Sequence, residues 1–159
     1  MRIYVVTEKE AEKSPDVIVG KAHINGKLAH ILIDPSAIYS FTLTTFVMHD
    51  KLKINDLNEP VIVSVHMDMC VICKKVCRNI LIEINGDKMK WNFILLYLDK
   101  FDTILGIDGL SHYRANVNYF AKQVELEEEG GKKIIFIGGD RKTPIKIISM
   151  MKGKKYIRK

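Results

Sequence analysis

An all-β domain, a small closed barrel with one or two short helices, is the fold class this sequence predicts. Three observations carry that reading. Short runs rich in Val, Ile, Leu and aromatic residues recur along the chain; two Asn-Gly pairs, Asn25-Gly26 and Asn85-Gly86, each divide two such runs; and the few stretches that read as helix are short. Asn-Gly between apolar runs is the strongest short-range hairpin signal, because both residues tolerate the positive φ of a type I′ turn. Many short strands with few helices close most readily into a barrel-like sheet.

Taken in order, Arg2 to Pro15 are charged and weakly patterned and read as a lead-in, with a short helix suggested over Glu8 to Lys13. From Asp16 the composition turns strand-like: Val17-Ile18-Val19, Ala22 and Ile24 precede the first Asn-Gly pair, and Leu28, Ile31, Leu32 and Ile33 follow it. Ser40 is placed to cap a short helix from Phe41 to His49. Pro60 punctuates, Val61 to Val65 reads as a strand, and Met67 to Arg78 has no clear period. Ile80 to Ile84 and Met89 to Leu98 form the second hairpin around Asn85-Gly86. Asp108 is placed to cap a helix starting at Gly109. Asn116 to Asn118, Gln123 to Leu126 and Lys133 to Ile137 read as short strands, with Gly130-Gly131 turning between the last two.

At 159 residues the chain has length for one domain with a proper core and not for two comfortable ones. The longest apolar runs, such as Phe93 to Leu98, are far short of the roughly 18 to 20 residues that cross a bilayer. The first ten residues lack the apolar core of a secretory signal, so an intracellular site with reduced thiols is expected. The net charge of +6 is uneven: Arg141 to Lys159 carries eight Lys or Arg and no acid, and the other 140 residues carry 17 basic against 19 acidic residues, a net of −2. A near-neutral domain thus ends in a cationic tail. Contact with nucleic acid would run through that tail alone, by phosphate neutralisation; a solvated linker is the simpler reading.

The centre of the sequence is Ile31-Leu32-Ile33-Asp34-Pro35-Ser36-Ala37, where an apolar strand runs into one acid and turns. A carboxylate is costly to bury there unless the fold needs it. This stretch resembles the active-site segment of retroviral-type aspartic proteases, in which two apolar residues precede Asp-Thr-Gly-Ala or Asp-Ser-Gly-Ala. Asp34 and Ala37 stand in place, and Pro35-Ser36 replaces the central pair. A second stretch, Phe101-Asp102-Thr103-Ile104-Leu105-Gly106-Ile107-Asp108-Gly109-Leu110, resembles the apolar-apolar-Gly element of the same family, whose glycine lets a strand pass beneath the active-site loop. The segments Arg2 to Lys13 and Ile145 to Lys159 also resemble the flanks of the protease in plant gypsy-type retrotransposon polyproteins.

The resemblance implies a homodimeric aspartic endopeptidase acting on polypeptide substrates without a cofactor. Its catalytic group is Asp34, paired with Asp34 of a second chain, because the chemistry needs two carboxylates sharing one proton around a water. Asp102 precedes Thr103-Ile104 rather than a glycine and belongs to the supporting strand. Pro35, Ser36, Ala37 and Gly106 support the site. The resemblance places a flap over the substrate between Val61 and Ile84, with its tip at Met67, Asp68 and Met69, although no glycine occurs between Gly26 and Gly86. A single chain is expected to leave the Asp34 face open.

Pro35 replaces a Thr or Ser whose hydroxyl ties two active-site loops together, and Ser36 adds a hydroxyl one position on. The reading that competes with an active enzyme is therefore an inactive remnant serving as a dimerisation or linker module. Cys70, Cys73, Cys77 and His66 could ligate zinc, but His-x3-Cys-x2-Cys-x3-Cys is an uncommon spacing and strand geometry would send Cys70 and Cys73 to opposite faces. Buried thiols acting as small hydrophobes are expected, and no metal site. The domain boundaries implied are a linker over 1–15, the protease over 16–139 and a basic linker over 140–159. The resemblance implies flanking polyprotein domains as partners beyond these linkers, with reverse transcriptase on the C-terminal side, and a location in the cytoplasm or a virus-like particle with no membrane contact.

Overall fold

Asn25 and Gly26 take φ of 53° and 83°, and Asn85 and Gly86 take 51° and 86°, so both Asn-Gly pairs make the left-handed two-residue turns their chemistry favours. The computed structural model describes residues 2–4, 17–48, 53–64, 70–96 and 102–139. Its strands are β1 (Arg2–Tyr4), β2 (Ile18–Ile24), β3 (Lys27–Ile33), β4 (Phe41–Leu43), β5 (Ile54–Ser64), β6 (Cys70–Ile84), β7 (Asp87–Leu96), β8 (Thr103–Leu105), β9 (Asn116–Asn118), β10 (Gln123–Glu127) and β11 (Lys133–Ile137). The described helices are α1 (Thr45–Met48) and α2 (Ile107–His112).

Hydrogen bonding runs β6-β2-β3-β8-β4-β7 and returns from β7 to β6, which closes a six-stranded barrel; β5 and β1 extend outward from β6. The two hairpins β2–β3 and β6–β7 supply four of the six barrel strands. The short parallel pair β3–β8 joins them to the C-terminal half, with Ile31, Leu32 and Ile33 opposite Thr103, Ile104 and Leu105. A separate sheet, β11-β10-β9, lays Val124, Leu126, Ile134 and Phe136 on the main core.

Side chains alternate across a strand, so the burial of Ile31, Leu32 and Ile33 in one unbroken run requires cover on both faces. Ile31, Ile33 and Leu105 enter the main core with Phe93, Ile80 and Ile82. Leu32 and Ile104 face a second cluster with Phe41, Ile94, Leu96 and the hairpin residues Val61, Val63 and Cys73. Burying a side chain of this size contributes roughly 1.5 to 3 kcal/mol. The β3–β8 ladder is therefore covered on both faces, and Asp34 follows directly from it.

Several local expectations give way to tertiary context. Ser40 does not cap a helix: Phe41–Leu43 is a strand pairing both β7 and β8, and among the described residues of this stretch helix is confined to Thr45–Met48. The β-branched Thr42 suits an extended backbone, and its Oγ1 lies 2.9 Å from Thr103 Oγ1 across the pair. Strand β5 begins at Ile54 and runs through Pro60, which sits inside the register shift between Asp56 and Val61, where a missing N–H is tolerated. The stretch after Met69 is strand from Cys70. Helix α2 starts at Ile107 behind Gly106 without a side-chain cap, so Asp108 lies within its first turn. Arg2–Tyr4, read as lead-in, pairs in parallel with Ile62, Val63 and Ser64. The suggested helix over Glu8 to Lys13 and the tail after Gly139 lie outside the described residues.

Candidate active site

Asp34 leaves β3 as its last barrel residue turns, and its backbone N–H donates to the Leu105 carbonyl at 3.0 Å, continuing the β3–β8 ladder by one bond. Pro35 and Ser36 form a turn closed by the Ala37 N–H on the Asp34 carbonyl at 3.0 Å. An acid at the first position and Pro at the second are what such a turn favours, because Pro presets φ near −65°. The turn brings Ser36 back over its own carboxylate: the Ser36 N–H donates to Asp34 Oδ1 at 3.0 Å and Ser36 Oγ donates to the same oxygen at 2.6 Å. Asp34 is only 2 % exposed. The carboxylate itself is thus covered within the single chain, where the folded-back turn sets two donors against it, while Ser36 and Ile38 beside it are exposed.

Gly106 lies beneath this loop. A Cβ there would stand 2.3 Å from the Tyr39 carbonyl oxygen and 2.7 Å from that of Ala37, distances no real side chain occupies. The Ile107 N–H then donates to the Ala37 carbonyl at 2.7 Å. The structure places Asp34, Pro35, Ser36 and Ala37 in one turn over Gly106. Met67, Asp68, Met69 and His66 lie outside the described residues, although β5 and β6 form the arms of the hairpin that would carry them.

A buried junction that the sequence reading missed anchors the far end of the loop. Ser40 is fully buried; its Oγ donates to Asp108 Oδ1 at 2.6 Å and accepts from Trp91 Nε1 at 2.7 Å and from the Gly106 N–H at 2.9 Å. Its backbone N–H donates to Asp108 Oδ2 at 3.2 Å and its carbonyl accepts from Ile94. One hydroxyl thus uses its donor and both acceptor lone pairs. The signal available in sequence was a serine among apolar residues, which a capping role also explained. Asp102 is likewise committed, accepting the His30 N–H at 2.7 Å on Oδ2. The two acids nearest in the motif are therefore engaged elsewhere, which leaves Asp34 as the carboxylate of the loop.

The thiols are not arranged for metal. Cys73 and Cys77 are buried and Cys70 is exposed, and burial pushes the Cys73 thiol up to about 11 and raises Cys77 as well. Among the described residues no group of three or more His, Cys, Asp or Glu converges. A groove of about 780 Å³ lies between β7, α2 and the β10–β11 turn, lined by Trp91, His112, Tyr113 and Glu127 to Glu129; Asp34 takes no part in it. No described helix is long and apolar enough to cross a membrane.

A buried acid on a β-turn above a supporting glycine, set in a six-stranded barrel, is the arrangement of an aspartic protease protomer. The family model described as retroviral aspartyl protease matches residues 1–132, and the chain belongs to that family. Among solved structures it is similar to the retroviral protease-like domain of Ddi1 from Leishmania major, with a TM-score of 0.55 and 10% identity, covering 78% of this chain and 97% of that one. It is also similar to the EIAV protease complexed with the inhibitor HBY-793, with a TM-score of 0.47 and 17% identity, over 63% of this chain and 90% of that one. No curated protein matches the chain.

Proposed function

We propose that the protein is an aspartic endopeptidase that works as a homodimer, with Asp34 of each chain forming the catalytic pair. The observation that carries this reading is the buried Asp34 carboxylate, held by its backbone to Leu105 on a loop seated over Gly106. Like charges at close range cannot both ionise, so one carboxylate of the pair is protonated. The ionised one takes a proton from the bound water, whose oxygen attacks the peptide carbonyl carbon, while the protonated one donates to the carbonyl oxygen. Collapse of that adduct breaks the C–N bond: the first carboxylate passes its proton to the leaving nitrogen, and one hydroxyl of the adduct returns its proton to the second carboxylate as C=O re-forms. Ile38 and Ile107, 43% and 39% exposed beside the loop, give a second copy an apolar surface to cover. The substrate is an extended polypeptide gripped by main-chain hydrogen bonds beneath the β5–β6 hairpin. The resemblance of the flanking segments supports an origin in a retrotransposon polyprotein, with the chain active in the cytoplasm or a virus-like particle.

One observation favours the second reading, an inactive module that retains only dimerisation. Pro35 has no hydroxyl to tie the loops of two chains, and the Ser36 hydroxyl is turned onto its own Asp34. Digestion of a peptide library by the full chain, with Asp34→Asn as control, separates the two. Cleavage lost in Asp34→Asn supports the enzyme. No cleavage by a chain that sediments as a dimer supports the module, and a strictly monomeric chain at micromolar concentration removes the basis for the dyad.

A further inference from the structure

The carboxylate of Asp34 is asymmetric in its surroundings. Both of its described hydrogen bonds, from the Ser36 N–H and from Ser36 Oγ, fall on Oδ1, and among the described residues no donor reaches Oδ2. The residue is nonetheless 2 % exposed. A buried acceptor is unfavourable unless a partner group, a water or a proton completes it. Ser36 itself is exposed, so its hydroxyl could face solvent, yet it lies 2.6 Å from the carboxylate. That is the short contact expected of an O–H donated to a charged oxygen.

We propose that Ser36 is the positioning residue of this site: its hydroxyl and N–H together saturate Asp34 Oδ1, so that Oδ2 alone meets the water and the shared proton. The proposal rests on reading Asp34 as one half of a catalytic pair. Pro35 contributes by fixing the turn that points Ser36 at the carboxylate. The hydroxyl is supplied within the chain, and the carboxylate keeps one orientation without a contribution from a second loop. An extra donor on one oxygen lowers the number of orientations the carboxylate samples, and misplacement near the chemistry is penalised steeply in rate.

The test compares Ser36→Ala, which deletes the hydroxyl and keeps the N–H, with Ser36→Thr, which keeps both. Kinetics on a fluorogenic decapeptide drawn from the library are read beside crystal structures of the three proteins. The expected result is a kcat lower by roughly ten- to a hundredfold in Ser36→Ala, the loss of one hydrogen bond to a charged group, with KM little changed and Ser36→Thr close to wild type. In the crystal, the Asp34 carboxylate should take more than one orientation in Ser36→Ala only. Equal kcat in Ser36→Ala and wild type overturns the proposal, as does a carboxylate orientation that the alanine leaves unchanged. If none of the three cleaves while the orientation changes in Ser36→Ala as expected, the positioning role stands and the enzymatic reading falls.

Discussion

Gly106 and Tyr39 are in backbone-to-backbone contact: a Cβ on the glycine would stand 2.3 Å from the Tyr39 carbonyl oxygen. Neither partner can swing aside as a side chain could, so this contact sets how closely β8 approaches the Asp34 loop. Leu105, one residue earlier, receives the Asp34 N–H. The glycine therefore determines where the carboxylate stands as well as how the loop packs.

Gly106→Ala should accordingly lower stability by about 1 to 3 kcal/mol, the usual cost of overpacking, and abolish whatever cleavage the wild type has. Urea midpoints report the first effect and peptide digestion the second. Gly130→Ala is the control, since nothing lies within 4 Å of a Cβ there. A Gly106→Ala protein as stable as the control would show that the loop and β8 part without cost.

Ser40→Ala should be among the most damaging polar substitutions in the barrel. It strands the Trp91 indole N–H and the Gly106 N–H without an acceptor and strips one donor from Asp108. Each buried donor left unsatisfied costs about 1 to 3 kcal/mol. Trp91 is the single tryptophan, so urea unfolding followed by its fluorescence measures the loss directly. A change below about 0.5 kcal/mol, within the range of an ordinary surface substitution, would mean that water replaces the hydroxyl.

The buried Cys73 makes stability depend on alkaline pH. Its folded thiol is raised from 9.0 to about 11, so between those values the native state holds a proton that the unfolded chain releases. The contribution is complete below pH 9 and is lost as pH rises towards 11, by up to about 2 to 3 kcal/mol. Urea titrations from pH 8 to pH 11 should show that decline, and Cys73→Ala should make it shallower relative to its own value at pH 8, the remainder following from the likewise raised Cys77. A thiol reagent at pH 8 should label Cys70 in the folded protein, with Cys73 and Cys77 reacting only on unfolding.

Much of the barrel was legible because local chemistry and tertiary structure agree. Asn25-Gly26 and Asn85-Gly86 turn as their backbone preferences dictate, and the strands on either side pair in the register a two-residue turn sets. Asp34 and Gly106 could be named in advance, since the resemblance ties the acid loop to the glycine strand. Ser40 and Asp108 were read as helix caps because capping is the commonest local use of those residues, and nothing in a linear sequence shows that Ser40, Trp91 and Gly106 converge.

What the sequence determined by itself, then, is the set of turns, the apolar runs that need cover on both faces, and the placing of one acid at the end of such a run; these depend on residues near each other in the chain. The tertiary structure alone decided that Arg2–Tyr4 pairs with β5, that Phe41–Leu43 is strand rather than helix, and that the Ser36 hydroxyl closes onto Oδ1. The first two depend on partners 60 and 53 positions away, as Arg2 with Ile62 and Phe41 with Ile94. The third depends on a side-chain torsion that is free until the turn over Gly106 holds the carboxylate within its reach.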